Sequence, residues 1–246
     1  MCFFVFDSHV LGQFALFCSV SIQYAQTSLV ITRDGSHSLR NELTGEHYHS
    51  IFGAFTESKY VFEKMGLLEA DQSVAPLRLL EVGVGTGLNL LLALAFARDH
   101  CLHLQYTGLE PFPVEPEQIA ALNYGQFADA AACAWWQSVY MDLLNGKSQQ
   151  FSSAEVEVVQ QSLLQFQATQ PFDLVFYDAF SPSSEESMWN DASIDHVSSL
   201  LAPGGRLVTY CIRGYIRRRF MANGLLAEKR PGPPGKREMM VVTNPH

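Results

Sequence analysis

Glu81, Gly83, Gly85, Gly87 and Asn89 fall in one short run, LRLLEVGVGTGLNLLLAL, from Leu77 to Leu94. The run is apolar, then glycine-rich, then apolar again, which reads as strand, turn and helix. Such a turn lets backbone N–H groups approach a nucleotide-type cofactor closely. The spacing is G-x-G-x-G. A dinucleotide fingerprint needs its third Gly one residue later, where Leu88 stands, and a phosphate loop needs a Gly-Lys pair that is missing. Glu81 would repel a pyrophosphate but suits a cation or an amine. Glu110 ends the next strand, where a carboxylate can take both ribose hydroxyls. S-adenosylmethionine has a ribose, no phosphate, an ammonium and a sulfonium, and it meets both demands. Taken alone, G-x-G-x-G is also an ordinary tight turn.

A second site residue stands in FYDAFSP, Phe176 to Pro182. An acid, an aromatic and a proline at the end of a strand resemble the loops of amino-group methyltransferases. Methyl transfer to nitrogen is an in-line displacement that needs a neutral lone pair, and free alkylamines titrate near about 10. Asp178 can accept a hydrogen bond from the amine and take its proton, while positioning supplies most of the acceleration. Phe180 and Trp189 are candidates to pack against a planar substrate. Asp178 would equally serve as a loop-fixing carboxylate, and Trp189 as core.

These residues need a scaffold, and the chain supplies an alternation of strands and helices. Two short strands flank Asp34-Gly35, and ESKYVFEKMGLLEA has helical spacing. The strands LRLLEV, LHLQYTGLE, AEVEVV, FDLVFYD and PGGRLVTYC then alternate with helices over Leu88–Arg98, PEQIAALNYGQFADAAACAWW, QSLLQFQAT, DASIDHVSSLL and YIRRRFMANG. LLAEKR and REMMVV form a final pair of strands around a Pro/Gly loop. The expectation is α/β: a Rossmann-like, doubly wound, mostly parallel sheet with an antiparallel edge strand and a small N-terminal extension. Residues 1–31 read as an extension of uncertain order and 32–246 as one domain, with N-terminal strands and helix over 32–76 and the core over 77–246. Ligands in such a sheet sit outside the strand carboxyl ends where strand order reverses.

The formal charge of −9 hides an uneven distribution. Nine of the 16 Lys and Arg lie from Arg206 to Arg237, and from Arg206 onward the only acids are Glu228 and Glu238. A basic end on an acidic body fits a polyanion partner, or a solvated surface. The five cysteines form no CxxC pair, which favours reduced thiols in a cytosol over a disulfide frame or zinc site. His47 and His49 in GEHYHS lack a third ligand at useful spacing, so no metal is expected. Between Ser8 and Thr32 there is no charged residue. However, polar residues interrupt the about 20 apolar positions a membrane span needs, and no basic residue precedes the apolar run as in a secretory signal. A cytoplasmic protein without a membrane anchor is expected.

From Thr32 to roughly Val242 the chain also resembles a known family, the tRNA methyltransferases that form the N-terminal half of bifunctional MnmC. The likeness rests on GEHYHS with ESKYVF, GTGLN, YDAFSP with MW, PGG, GYIRRRF and GKREM, in that order and spacing. It implies a class I methyltransferase that uses S-adenosylmethionine to convert 5-aminomethyl-(2-thio)uridine to 5-methylaminomethyl-(2-thio)uridine at the tRNA wobble position. It implies contacts with the anticodon arm through Arg213, Arg217, Arg218, Lys236 and Arg237, and a target base splayed out of its loop. Cofactor contacts are expected from Glu57, Glu81, Gly83, Gly85, Gly87, Asn89 and Glu110. Tyr60 borders the cofactor cleft on the resemblance, although alone it reads as core. Ser162 sits where the family offers an Asp to adenine. No flavin oxidase half is expected, so the aminomethyl group would come from other enzymes. Three alternatives stay open: a methyltransferase of a small-molecule or protein amine, a tRNA-binding protein on an inactive scaffold, and an aminopropyltransferase.

Overall fold

Leu77–Val82 is apolar on both faces because it becomes the middle of a sheet covered on both sides. A computed structural model describes residues 22–245. Cys2, Cys18 and most of the uncharged N-terminal stretch lie outside the described residues. Strands β1 (Thr27–Ile31) and β2 (His37–Asn41) form an antiparallel hairpin. A helix follows, α1 (Ala54–Ser58), which continues as a π-helix over Lys59–Leu67. The core runs β3 (Leu77–Val82), α2 (Leu88–Asp99), β4 (Leu104–Leu109), α3 (Pro116–Ala121), α4 (Ala130–Leu144), β5 (Gln149–Phe151), β6 (Ala154–Val159) and β7 (Phe172–Tyr177). It ends with α5 (Asp191–Ser199), β8 (Leu201–Thr209), α6 (Gly214–Ala222), β9 (Leu226–Pro231) and β10 (Glu238–Thr243).

The sheet order is β5-β6-β4-β3-β7-β8-β10-β9. Strands β6, β4, β3, β7 and β8 are parallel, and β10, β9 and β5 add antiparallel pairings at the two edges. The fold is thus the expected doubly wound sheet, with β5 as a second antiparallel addition. Strand order reverses between β3 and β7. Each face of the sheet carries its own apolar layer. Leu77, Leu79, Leu174 and Phe176 belong to one, with α2 and α4, and Leu80, Val82, Val175 and Tyr177 to the other, with α5 and α6. α2 is apolar nearly all round, as a helix enclosed on all sides must be.

Three expectations differ from the structure. The long helix expected from Pro116 breaks into α3, a 3-10 turn at Tyr124–Gln126 and α4. Asn123 causes the break: its side chain accepts from His37 N at 2.7 Å and donates to Gly35 O at 3.0 Å, serving the β1–β2 turn. Asp129 then starts α4 afresh by accepting from Ala132 N. QSLLQFQAT is no helix beyond one 3-10 turn at Leu163–Gln165, since Phe166 turns extended to reach the core. Finally β1, on the N-terminal side of position 32, pairs fully with β2, so the ordered unit begins before that boundary.

Candidate active site

Side chains alternate along a strand, so Glu81 shares the face of Leu77 and Leu79, and Asp178 that of Leu174 and Phe176. Both acids meet the first turn of α2 at the point where strand order reverses. Asn89 on that turn donates through Nδ2 to Glu81 Oε1 at 2.8 Å and to Asp178 Oδ2 at 2.9 Å. The β3–α2 turn and the end of β7 touch directly: Asp178 N donates to Val82 O at 3.0 Å. Gly83 has φ +89°, and a Cβ there would lie 2.8 Å from the Asp178 carbonyl oxygen. A side chain at this position is strained and collides with backbone. Gly83→Ala is therefore expected to destabilise by about 1–2 kcal/mol from the positive φ alone. The melting midpoint should fall by at least about 2–4 °C per kcal/mol lost. Calorimetry of the two proteins checks this, and an unchanged midpoint would refute the close approach.

A cavity of about 700 Å³ opens over the carboxyl ends of β3, β4, β6 and β7. Gly83, Gly85, Glu110, Ser162, Asp178, Phe180, Glu57 and Lys236 all border it. Glu110 accepts from Gly85 N at 2.8 Å and from Phe112 N at 3.1 Å, which orients its carboxylate along the glycine turn. Glu57 accepts from Ser50 N at 2.6 Å and pairs with Lys236, whose ammonium stands 4.0 Å from the Tyr210 ring centre. Phe180 meets Tyr48 edge-on with centroids 4.9 Å apart. Ser162 spends its hydroxyl on Gln165 Oε1 at 2.9 Å, in a capping box.

Five expected residues stand away from the cavity. Glu81 is fully buried, bonded to Asn89 and the Tyr106 hydroxyl, and does not border the cavity. Asn89 lies with it, its Oδ1 without a partner among the described residues, and its amide holds two carboxylates instead of facing a ligand. Gly87 lies against the Trp136 ring. Trp189 is 1% exposed; its indole N–H donates to Phe180 O at 2.6 Å and its ring meets Tyr177 edge-on. It supports the 178–185 loop from inside and offers no surface to a substrate. Tyr60 packs on the core under Lys64 and does not border the cavity either.

The basic segment is also less free than its composition implied. Arg206, Arg219, Lys229, Arg230 and Lys236 are each paired with an acid of the same chain. Arg217 is half-buried, its Nε donating to Ala227 O at 2.9 Å, which ties α6 to β9. Arg213, Arg218 and Arg237 are exposed.

The cavity has a second wall that the motifs did not reveal, made by the segment after β2. Glu46 accepts from Ser181 N at 2.9 Å and from the Ser181 hydroxyl, clamping the 178–185 loop, while Tyr48 covers Gly85. Those hydrogen bonds outweigh burial and hold the Glu46 carboxyl below its usual range. GEHYHS drew attention for its histidines, yet His49 is a buried neutral ring beside Ser38, its pKa lowered by burial to about 4, and His47 is exposed. Tyr210, Gln161 and Glu185 border the cavity too, without any motif to mark them.

Electrostatics give this site its character. Burial pushes Glu81 up to about 8 against the hydrogen bonds from Tyr106 and Asn89. Burial likewise pushes Glu110 up to about 7, and it raises Asp178 well above the carboxylate range, with the charges of Glu81 and Glu57 adding to it. Glu57, Glu110 and Asp178 border the cavity with Glu81 buried behind them, an acidic set that suits a positively charged ligand.

Comparison with known proteins agrees with that chemistry. Residues 131–245 match the family model described as S-adenosyl-L-methionine-dependent methyltransferase. The chain is 30% identical over 214 residues to the tRNA 5-methylaminomethyl-2-thiouridine biosynthesis bifunctional protein MnmC of Pseudoalteromonas atlantica, covering 78% of this chain and 30% of that protein. Its counterpart in Cupriavidus metallidurans is 29% identical, over 79% of this chain and 31% of the relative. This chain therefore spans about a third of the length of the relatives it matches. The crystal structure of MnmC2 from Aquifex aeolicus shares the fold, with a TM-score of 0.71 and 22% identity, over 90% of this chain and 73% of that one. A glycine turn and an acid-lined cavity at the reversal of a doubly wound sheet agree with the match of residues 131–245 to the S-adenosyl-L-methionine-dependent methyltransferase family.

Proposed function

We propose that this chain methylates the primary amine of 5-aminomethyl-(2-thio)uridine at the wobble position of tRNA, in the cytoplasm. The observation that carries the reading is the juxtaposition of Asp178 with the Gly83–Gly85 turn in one cavity walled by Tyr48, Phe180 and Tyr210. The similarity to MnmC, whose name states the tRNA pathway, supplies the substrate class. A cavity of this size takes a nucleoside-sized cofactor together with a further ring.

The residues present fit the cofactor. Gly83 and Gly85 bring the backbone of the turn to the cavity wall, Glu110 could accept from ribose hydroxyls, and Glu57 with Asp178 could face the cationic end. Ser162 and Gln161 border the cavity where β6 ends, on the side open to an adenine. When bound, S-adenosylmethionine supplies an electrophilic methyl group on a sulfonium. Asp178 accepts a hydrogen bond from the substrate amine and keeps its lone pair directed at that methyl. Asp178 would take the proton that the amine gives up when it is methylated. Asn89 fixes the carboxylate's orientation from behind. Phe180 and Tyr48 offer ring surface for a pyrimidine, and Arg213, Arg218 and Arg237 offer charge to the anticodon arm.

The test is methyl transfer to tRNA isolated from cells that lack this last methylation, read by mass spectrometry of nucleosides. Conversion of aminomethyl- to methylaminomethyl-uridine is expected. Binding of the cofactor without conversion of correctly modified tRNA would overturn the substrate and favour a small-molecule or protein amine.

A further inference from the structure

The β1–β2 turn carries a cation that lies far in sequence from the basic C-terminal segment. Arg33 donates its backbone N–H to Ile51 O at 2.9 Å, and its guanidinium carbon stands 4.4 Å over the centre of the Phe52 ring. The same ring lies against Gly235, where a Cβ would meet it at 2.3 Å and where φ is +89°, so only glycine lets the Pro/Gly loop close on the ring. Both neighbours lead straight to the active-site cavity: Ser50 and Lys236 border it. Phe52 is 39% exposed and Ile51 48%, and both Arg33, over the Phe52 ring, and Arg237, just past Gly235 in the chain, are exposed.

Among the described residues neither Arg33 nor Arg237 has a carboxylate partner. Asp34, next to Arg33, turns its carboxylate inward to Thr32, Ser36 and Thr56. An arginine fixed on an aromatic face keeps its N–H donors in place at a reduced entropy cost. On a chain of net charge −9, unpaired cations at the mouth of an acidic cavity are placed to offset repulsion of a polyanion. Resting on the tRNA reading above, we infer that Arg33, held on Phe52, and Arg237 form a lip that grips RNA backbone phosphates beside the nucleotide entering the cavity. The hairpin before the methyltransferase core is then part of the RNA-binding surface.

The test compares tRNA binding by the parent chain, Arg33→Gln, Arg33→Gln/Arg237→Gln and Phe52→Leu, each over a range of salt concentrations. Lys64→Gln serves as control; it removes one exposed charge that also lies over an aromatic ring, on a helix outside the cavity wall. Arg33→Gln is expected to weaken binding about five- to tenfold and to flatten the slope of log K against log salt by about 1, and the double variant by about 2. Phe52→Leu should weaken binding about two- to fivefold, and Lys64→Gln should change nothing. Cofactor affinity and melting midpoint should stay at parental values in all of them. Parental affinity and slope in Arg33→Gln, with a parent that binds and methylates tRNA, would overturn the lip and leave the function standing. Loss of cofactor affinity or of the melting midpoint in Arg33→Gln would show a structural role and overturn it as well. A parent that neither binds nor methylates tRNA would remove both.

Discussion

Asp178→Asn should lower the rate of methyl transfer about 10²–10⁴-fold while leaving cofactor affinity within about tenfold of the parent. Asparagine keeps the shape and can still bond Asn89, but it cannot take the proton that must leave the amine. Single-turnover transfer at saturating tRNA, with calorimetric titration of the cofactor alongside, separates the chemical step from binding. A rise in KM with unchanged kcat would mean that Asp178 only aligns the substrate. Asp178 and Glu81 also share Asn89, and the charge of Glu81 adds to the burial that holds the Asp178 carboxyl above its usual range.

The affinity for S-adenosylmethionine should rise with pH between about 5 and 8, by up to about tenfold per pH unit for each proton released. The sign follows from the direction of the shifts. Glu81 at about 8 and Glu110 at about 7 hold protons in the ligand-free protein that a free carboxyl has already lost. In that window the folded chain binds more protons than the unfolded one. Stability without ligand is then fully present below the free carboxyl range, near 4.5, and is lost as pH rises through 7 and 8. A cationic ligand favours the carboxylates, so its binding expels the protons and becomes easier as they are lost to solvent. S-adenosylhomocysteine lacks the sulfonium charge and should show a flatter profile. Titrations in two buffers of different ionisation enthalpy count the protons directly. Equal profiles for the two ligands would mean that the acid cluster does not respond to the sulfonium.

The sheet could be read from the chain because its signals are local. Buried parallel strands must be apolar on both faces, the glycine turn must follow one of them, and Asp178 must end another. Asn123 shows where local signals stop: its neighbours have helical spacing, but its side chain is needed 86 residues away at His37, and the helix breaks there. The motif GEHYHS is a similar case. Its histidines stand out by type, whereas Glu46 and Tyr48 matter only because the hairpin folds back over Gly85 and Ser181.

By itself the sequence determined the α/β scaffold, the cofactor class and the acid at the end of β7, since each follows from residue types at short spacing. The tertiary structure decided which of those residues face the cavity. Alternation of side chains sends Glu81 beneath α2, behind the wall, and brings Asp178 to the same anchor, Asn89, at the cavity's edge. It also decided which charges remain available. Pairing consumes Arg206, Arg219, Lys229, Arg230 and Lys236 within the chain, while Arg33, distant in sequence, is carried over the Phe52 ring. Composition counts charges, but an ion pair forms only between groups that folding brings within a few ångströms of each other.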